Sequence, residues 1–296
     1  MQSRFKLSLI IIILLFLFFA IFSLSRFLPI EHSKTFEAMG TFVTIKIKGV
    51  NAPKNITLAY NRIKELEKIF NRFDPASEIS KINSKLAENT KTKKFSPLII
   101  KLSKDAYNCI ALAQNISKLT NGAFDITLTG NYKNMTLNPE DYSIKILKPK
   151  IQLNLDGIAK GFAVEEARFL LFKRNVKDGI IDMRSSIAVF DIPKKIGVKN
   201  PFEKSGIFET ISLNSGQALS TSGTYEQGLH IINPVDKKKV DYWVSITVIG
   251  KDAGFLDGLS TGLFVMKKDE AVKLVKSLNL GAILITKDKK VFKVNI

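Results

Sequence analysis

Hydrophobic and polar positions change their period along the chain, and each change marks an element. Residues 7–24 show no period at all, being an almost unbroken apolar run preceded by Arg4 and Lys6. About eighteen such residues come close to the ~20 that a helix needs to cross a bilayer. The run is longer than a signal-peptide core, and Ala20-Ile21-Phe22 is a poor cleavage site. Residues 1–28 are therefore expected to be an uncleaved transmembrane signal anchor. The basic N-terminal flank keeps that end in the cytoplasm and places the globular part outside the cytoplasmic membrane. Residues 29–34 follow as a short linker.

Val43, Ile45 and Ile47 then alternate with Thr44, Lys46 and Lys48, the period-two pattern of a half-buried strand. Ile63, Leu66, Ile69, Phe70 and Phe73 recur at helical spacing until Asp74-Pro75. A second helix is predicted over 96–119, with Ser96-Pro97 opening it and Asn121-Gly122 stopping it. Ile151, Leu153 and Leu155 predict a strand that feeds a helix running from Gly157 to Leu171. Short strands are expected at 179–181, 187–190, 196–198 and 244–249. Helices follow near 256–266 and 269–280, and 282–285 with 291–294 form a closing hairpin. Strands and helices mix without strict alternation, so the expected class is α+β.

Composition narrows the picture. At 45% hydrophobic and 24% charged residues the chain is globular, which excludes disordered and collagen-like classes. Lys+Arg at 45 against Asp+Glu at 27 leaves a net charge of +18. The lysines are scattered, with only short clusters at 91–94 and 237–239, and no aromatic residues interleave with them. That argues against nucleic acid and for a solvated basic surface attracted to acidic membranes or partners. The only cysteine, Cys109, excludes an intramolecular disulfide and falls on an apolar helical stripe, as a packed core thiol would.

Four motifs carry candidate chemistry. In Asp257-Gly258-Leu259-Ser260-Thr261 a carboxylate and a hydroxyl stand four apart on one helix face, hard oxygen ligands suited to Mg²⁺; an ordinary helix cap is the competing reading. Leu155-Asp156-Gly157-Ile158-Ala159-Lys160-Gly161 opens a helix with glycines and a lysine, where a phosphate is favoured, or is simply a tight βα turn. Leu219-Ser220-Thr221-Ser222-Gly223 precedes His230-Ile231-Ile232-Asn233-Pro234, whose imidazole is either a general base or structural. Gly122-Ala123-Phe124-Asp125 reads by itself only as a turn.

In co-linear order these motifs, with Ala38-Met39-Gly40-Thr41 and Ser77-Glu78-Ile79-Ser80-Lys81-Ile82-Asn83, resemble the ApbE family, the FAD:protein FMN transferases. The resemblance covers residues 35–296. It implies an ApbE-like α+β fold that binds FAD and Mg²⁺, cleaves the FAD pyrophosphate and passes FMN to a threonine of an acceptor flavoprotein, releasing AMP. A respiratory or electron-transfer complex is the typical source of that acceptor. By the same resemblance Met39, Phe73, Ala123, Phe124, Asp125, Asn154, Lys160 and Ile231 contact FAD. Gly157, Asp257 and Thr261 hold the metal, and His230 and Lys160 act in catalysis. Two alternatives carry weight: an FAD pyrophosphatase giving FMN and AMP, and a non-catalytic membrane-tethered flavin binder.

Two segments depart from the family pattern. Asn154 stands where aspartate is usual, Asp156 replaces a glycine, and Arg184-Ser185-Ser186 replaces a Gly-Gly-Asp/Asn stretch. The usual lipid-attachment cysteine is also absent, in keeping with a signal anchor.

Overall fold

The computed structural model describes residues 30–91, 95–129, 131–203, 205–224 and 231–296. The proposed anchor and His230 lie outside them. Among the described residues no helix is long and apolar enough to cross a membrane.

The strand read from Val43, Ile45 and Ile47 is β2 (Thr41–Lys48), and it pairs antiparallel with β1 (Glu31–Ala38) from Glu31 opposite Lys48 to Ala38 opposite Thr41. Residues 31–34 are thus part of a strand and not a linker. They show little alternation because β1 is an edge strand with most of its side chains exposed. Helix α1 (Ala52–Phe70) buries Ile56, Ala59, Ile63, Leu66 and Phe70 at helical spacing, and it ends at Phe70, before Asp74-Pro75. Helix α2 (Glu78–Lys91) occupies the Ser77 motif, with the Ser77 hydroxyl accepting the Ser80 N–H at 3.0 Å.

The predicted helix over 96–119 is two elements. Leu98–Lys101 is β3, and α3 (Lys104–Leu119) starts only after Ser103, whose hydroxyl accepts the Ala106 N–H at 3.2 Å. Apolar residues on both sides of Ser103 blur the two periods, and β3 is held by β5 (Ser143–Ile146), far away in sequence. With β4 (Met135–Asn138) these strands form a small sheet in the order β3-β5-β4. Around Leu153 only an isolated bridge to Thr127 forms, so the expected strand at 151–155 is not a ladder. Helix α4 (Ala159–Phe172) begins two residues later than Gly157.

The remaining elements are β6 (Asp178–Asp182), β7 (Ser186–Val189), β8 (Lys194–Lys199), β9 (Ile207–Leu213), β10 (Ala218–Gly223), β11 (Trp243–Gly250), α5 (Ala253–Val265), α6 (Lys268–Ser277), β12 (Gly281–Thr286) and β13 (Val291–Val294). Eight strands form one antiparallel sheet in the order β1-β2-β6-β7-β10-β11-β12-β13. Alternation divides its faces. Ala188, Ala218, Ile246, Val248 and Leu284 meet the helices, while Ile187, Val189, Leu219, Ile283 and Ile285 meet the β8–β9 ribbon. This is the expected α+β class.

Helix α5 is buried along most of its length and packs between α3 and α4. Gly254, Gly258 and Gly262 make a flat stripe against Leu112, Ile116 and Thr120, where added Cβ atoms would meet those side chains at 3.2, 2.6 and 2.8 Å. Cys109 is fully buried among these helices, and burial pushes its thiol well up, leaving it inert. Arg62 of α1 donates to Asp105 of α3 at 2.6 and 2.7 Å and to Glu166 of α4 at 2.6 Å, tying three helices together. Arg62→Met should strand the two carboxylates and cost about 2 kcal/mol. The check is a thermal melt, with a fall of roughly 5 °C expected.

Candidate active site

Helix α5 carries Asp257 into a place where an apolar side chain would be expected, with the residue only 4% exposed. One carboxylate oxygen accepts the Gly161 N–H at 2.8 Å, and the other accepts the Ser220 hydroxyl at 2.9 Å. Ile158, the residue preceding α4, supplies no side-chain cap, so Asp257 caps α4 from a neighbouring helix and sits at its positive end. The competing cap reading is therefore correct as far as it goes, but for a different helix.

Burial pushes the Asp257 carboxyl up; the nearby Lys160 charge, the Gly161 N–H and the Ser220 and Ser186 hydroxyls oppose that shift. The Ser186 and Ser220 hydroxyls lie 2.9 Å apart, and the Ser220 oxygen is also 3.2 Å from the Ser185 carbonyl, so the two serines and Asp257 form one hydrogen-bonded cluster. These serines occupy the helix-facing phase of β7 and β10. Hydroxyls at inward positions of otherwise apolar strands were the available signal for them, and sequence reasoning noted the β10 motif without assigning Ser220 or Ser222 a role.

Thr261, one turn after Asp257, brings a second oxygen. Its hydroxyl lies 3.3 Å from the Gly157 carbonyl, 3.2 Å from the Asp257 carbonyl and 3.1 Å from the Ser222 hydroxyl. Gly157 leaves room beside it, since a Cβ there would stand 3.2 Å from the Phe124 ring and 3.3 Å from Thr261 Cγ2. The Phe124 ring is buried and fills the slot between Gly157 and the glycine stripe of α5, with its backbone N–H bonded to Thr120 Oγ1 at 3.0 Å. Carboxylate, hydroxyl and carbonyl are hard oxygens, the set that fits Mg²⁺ with the rest of its shell left to water and phosphate. Among the described residues no group of three His, Cys, Asp or Glu gathers, so any cation here would rely on that mixed set.

Of the other predicted contacts, Asn154 shapes the turn before Gly157 and Phe73 lies beside it through Arg72, whereas Ala123, Asp125, Met39 and Ile231 are held by contacts of their own. Asp125 is committed locally, accepting from Thr127 N–H and hydroxyl at 2.8 Å and from Tyr132 N–H at 2.9 Å; Ala123 stands two residues before it, half-buried. Asn154 accepts the Asp156 N–H at 2.8 Å, shaping the turn before Gly157. Asp156 in turn pairs with Arg72 at 3.1 Å, and the Arg72 guanidinium lies 4.0 Å from the Phe73 ring centre. Phe73 is 71% exposed, an aromatic plate beside the Gly157 turn. Met39 closes the β1–β2 hairpin with φ 50°, its N–H bonded to Glu67 of α1 at 2.5 Å. Ile231 is buried in the main core.

The Arg184-Ser185-Ser186 substitution does not straighten the backbone. Arg184 takes φ 66°, steadied by its N–H to Asp182 Oδ1 at 2.7 Å. A non-glycine residue there costs about 1–2 kcal/mol, which the surrounding ladder supplies. The Ser185 hydroxyl is buried without a hydrogen-bond partner.

The α+β frame thus gathers buried hard oxygens and a lysine around the start of α4. The chain belongs to the ApbE family, whose model matches residues 39–130 and 128–284. A relative from Buchnera aphidicola subsp. Baizongia pistaciae, named FAD:protein FMN transferase, is 27% identical over 85% of each chain. A protein of the same name from Escherichia coli K12 is 21% identical over 87% of this chain and 84% of its own. Among solved structures, the ApbE protein of Thermotoga maritima superposes with a TM-score of 0.78 at 23% identity, over 89% of this chain and 97% of that one. The flavin transferase ApbE of Vibrio cholerae gives 0.77 at 20% identity, over 90% and 97%.

Proposed function

We propose that this chain transfers FMN from FAD to a threonine hydroxyl of an acceptor flavoprotein. In that reaction the hydroxyl oxygen bonds to the flavin-side phosphorus, the phosphorus–oxygen bond of the diphosphate bridge breaks, and AMP leaves with the bridging oxygen. The observation that carries the reading is the Thr261 hydroxyl on the Gly157 carbonyl, one helical turn from the buried Asp257 carboxylate and its Lys160 neighbour, within a chain that matches the family over nearly its whole folded length. Asp257, Thr261 and Gly157 are the residues that would hold Mg²⁺, which when bound supplies neutralisation of charge on the diphosphate oxygens.

The protein's own groups divide the remaining work. Lys160, in the first turn of α4, adds positive charge where negative charge accumulates during transfer. Phe73 offers a stacking face for the isoalloxazine but no hydroxyl, and His230 is the group proposed to take the threonine proton. Ser186 and Ser220 hold the Asp257 carboxylate in one orientation. The apolar run at 7–24 is proposed to tether the domain outside the cytoplasmic membrane, near respiratory or electron-transfer flavoproteins.

Mixing the full-length protein with FAD, Mg²⁺ and a threonine-bearing acceptor domain should add one FMN mass to the acceptor and release one AMP. AMP without labelling would replace the transferase with a pyrophosphatase. Intact FAD throughout would leave only a flavin binder. Phe73→Ala should raise KM for FAD roughly 2- to 10-fold with the melting temperature unchanged, because the ring is exposed and its loss removes stacking alone. Phe73→Tyr should keep the parent KM.

A further inference from the structure

The end of the fold opposite the site has a chemistry of its own. Ile30, 61% exposed, and Val50, 67% exposed, meet where the Gly49 N–H bonds to the Ile30 carbonyl. Beside them α1 begins, and the buried Asn55 in its first turn accepts from Arg174, just past the end of α4. That contact carries the surface on to Phe169 and Phe172, which are 50% and 56% exposed, with the Lys173 and Lys177 ammonium groups 4.1 and 5.7 Å from their ring centres. Lys48 lies opposite Asp178 in the β2–β6 ladder and closes the circle.

Exposed aliphatic and aromatic groups ringed by Lys48, Lys54, Lys173, Arg174 and Lys177 make one continuous apolar and basic pole. The acidic groups on it are Glu31, paired across the ladder with Lys48, Asp178, bridged to Lys194 at 2.5 Å, and Asp191, bridged to Lys177 at 3.0 Å. Positive charge is in excess.

Two facts select the occupant. The apolar run ends at Leu24, and Ile30 is the first residue of the pole. Six residues span at most about 20 Å, so a chain tethered by that run keeps Ile30 and this pole within about that distance of the bilayer. Its chemistry also matches that surface, since lysines flanking partly inserted apolar side chains suit anionic headgroups over acyl chains. We propose that this pole docks on an anionic lipid surface; the inference rests on the tether reading and adds the face and the lipid chemistry to it.

The consequence is an orientation. β1, α1 and α4 all run between this pole and the site, β1 and α1 outward to Met39 and Phe73, and α4 back from Lys160 to Phe172. Their 8, 19 and 14 residues correspond to about 26, 28 and 21 Å. The site therefore faces away from the membrane at about that height and receives an acceptor domain that stands clear of the bilayer.

The test uses the full-length chain reconstituted in phosphatidylcholine vesicles with or without phosphatidylglycerol, both carrying headgroup-quencher lipid. A fluorophore is placed on Phe172→Cys or on the distal, 82% exposed Val235→Cys, with the buried Cys109 unreactive. Quenching at position 172 but not at 235, present with phosphatidylglycerol and weakened by salt, is the expected result. Lys54→Glu, Lys173→Glu and Lys177→Glu together should release the label while leaving FAD cleavage in detergent unchanged. Each lost lysine is expected to weaken docking about fivefold. Equal quenching at both positions, or none at 172 in a chain that co-floats with the vesicles, overturns the docking alone. Protection of position 172 only on adding another protein also overturns it in favour of a protein interface. Failure to co-float overturns the tether as well.

Discussion

Alanine at Asp257 is expected to lower AMP release from FAD by on the order of 10²- to 10³-fold, the scale of losing a charge-stabilising group in a phosphoryl site. Activity loss by itself would not separate chemistry from folding, because the same carboxylate caps α4 through Gly161 and orders Ser220. Asp257→Asn separates them. Its amide oxygen can still accept from Gly161, and Ser220 can turn to accept from the amide nitrogen while donating to the Ser185 carbonyl, 3.2 Å away. Asparagine should therefore fold well and still fail to turn over, with Mg²⁺ affinity measured by calorimetry lost in parallel. An Asn variant with near-parent turnover would remove Asp257 from the mechanism.

The same residue gives a pH signature. Burial raises the Asp257 carboxyl in the folded chain above its ordinary value of 3.8, so the folded state holds the proton to higher pH than the unfolded state. Stability of the cation-free protein must then fall as pH rises through the window above 3.8. Asp257→Asn should remove that part of the pH dependence, and added Mg²⁺ should offset it in the parent. Thermal melts across the acidic range, with and without the cation, read both effects.

Gly161→Ala should produce the largest stability loss of any single methyl added to this chain's active-site helices. A Cβ there would lie 2.2 Å from the Ala253 carbonyl oxygen and 2.4 Å from Asp257 Cβ, contacts that neither backbone nor a helix-buried carboxylate can yield. Helices α4 and α5 must move apart, at a cost of about 3 kcal/mol or more. A melting temperature roughly 10 °C lower is expected. Because the shift also breaks the Gly161–Asp257 bond, surviving protein should show weakened Mg²⁺ binding. A stable variant with parent metal affinity would mean that the helices do not meet as closely as described.

Local pattern made much of this legible. β2, α1, the closing hairpin and the inert Cys109 followed from periodicity, and Asp257 and Thr261 were singled out by their spacing. The errors share a cause. Residues 96–119 read as one helix because β3 and α3 are separated only by a serine cap, and β3 exists because β5 pairs with it. Residues 31–34 read as linker because an edge strand need not alternate. The ion pair of Asp156 with Arg72, 84 positions away, left no mark in either local sequence.

The sequence by itself determined which residue types were present, their periods, and the order of motifs that assigns the family. Tertiary structure decided what those residues do: that Asp257 caps α4 and not its own helix, that inward serines hold it, and that the basic pole stands opposite the site. The physical reason is range. Periodicity reports which face of one element avoids water, whereas a buried carboxylate's partners and the separation of two surfaces depend on how distant elements pack.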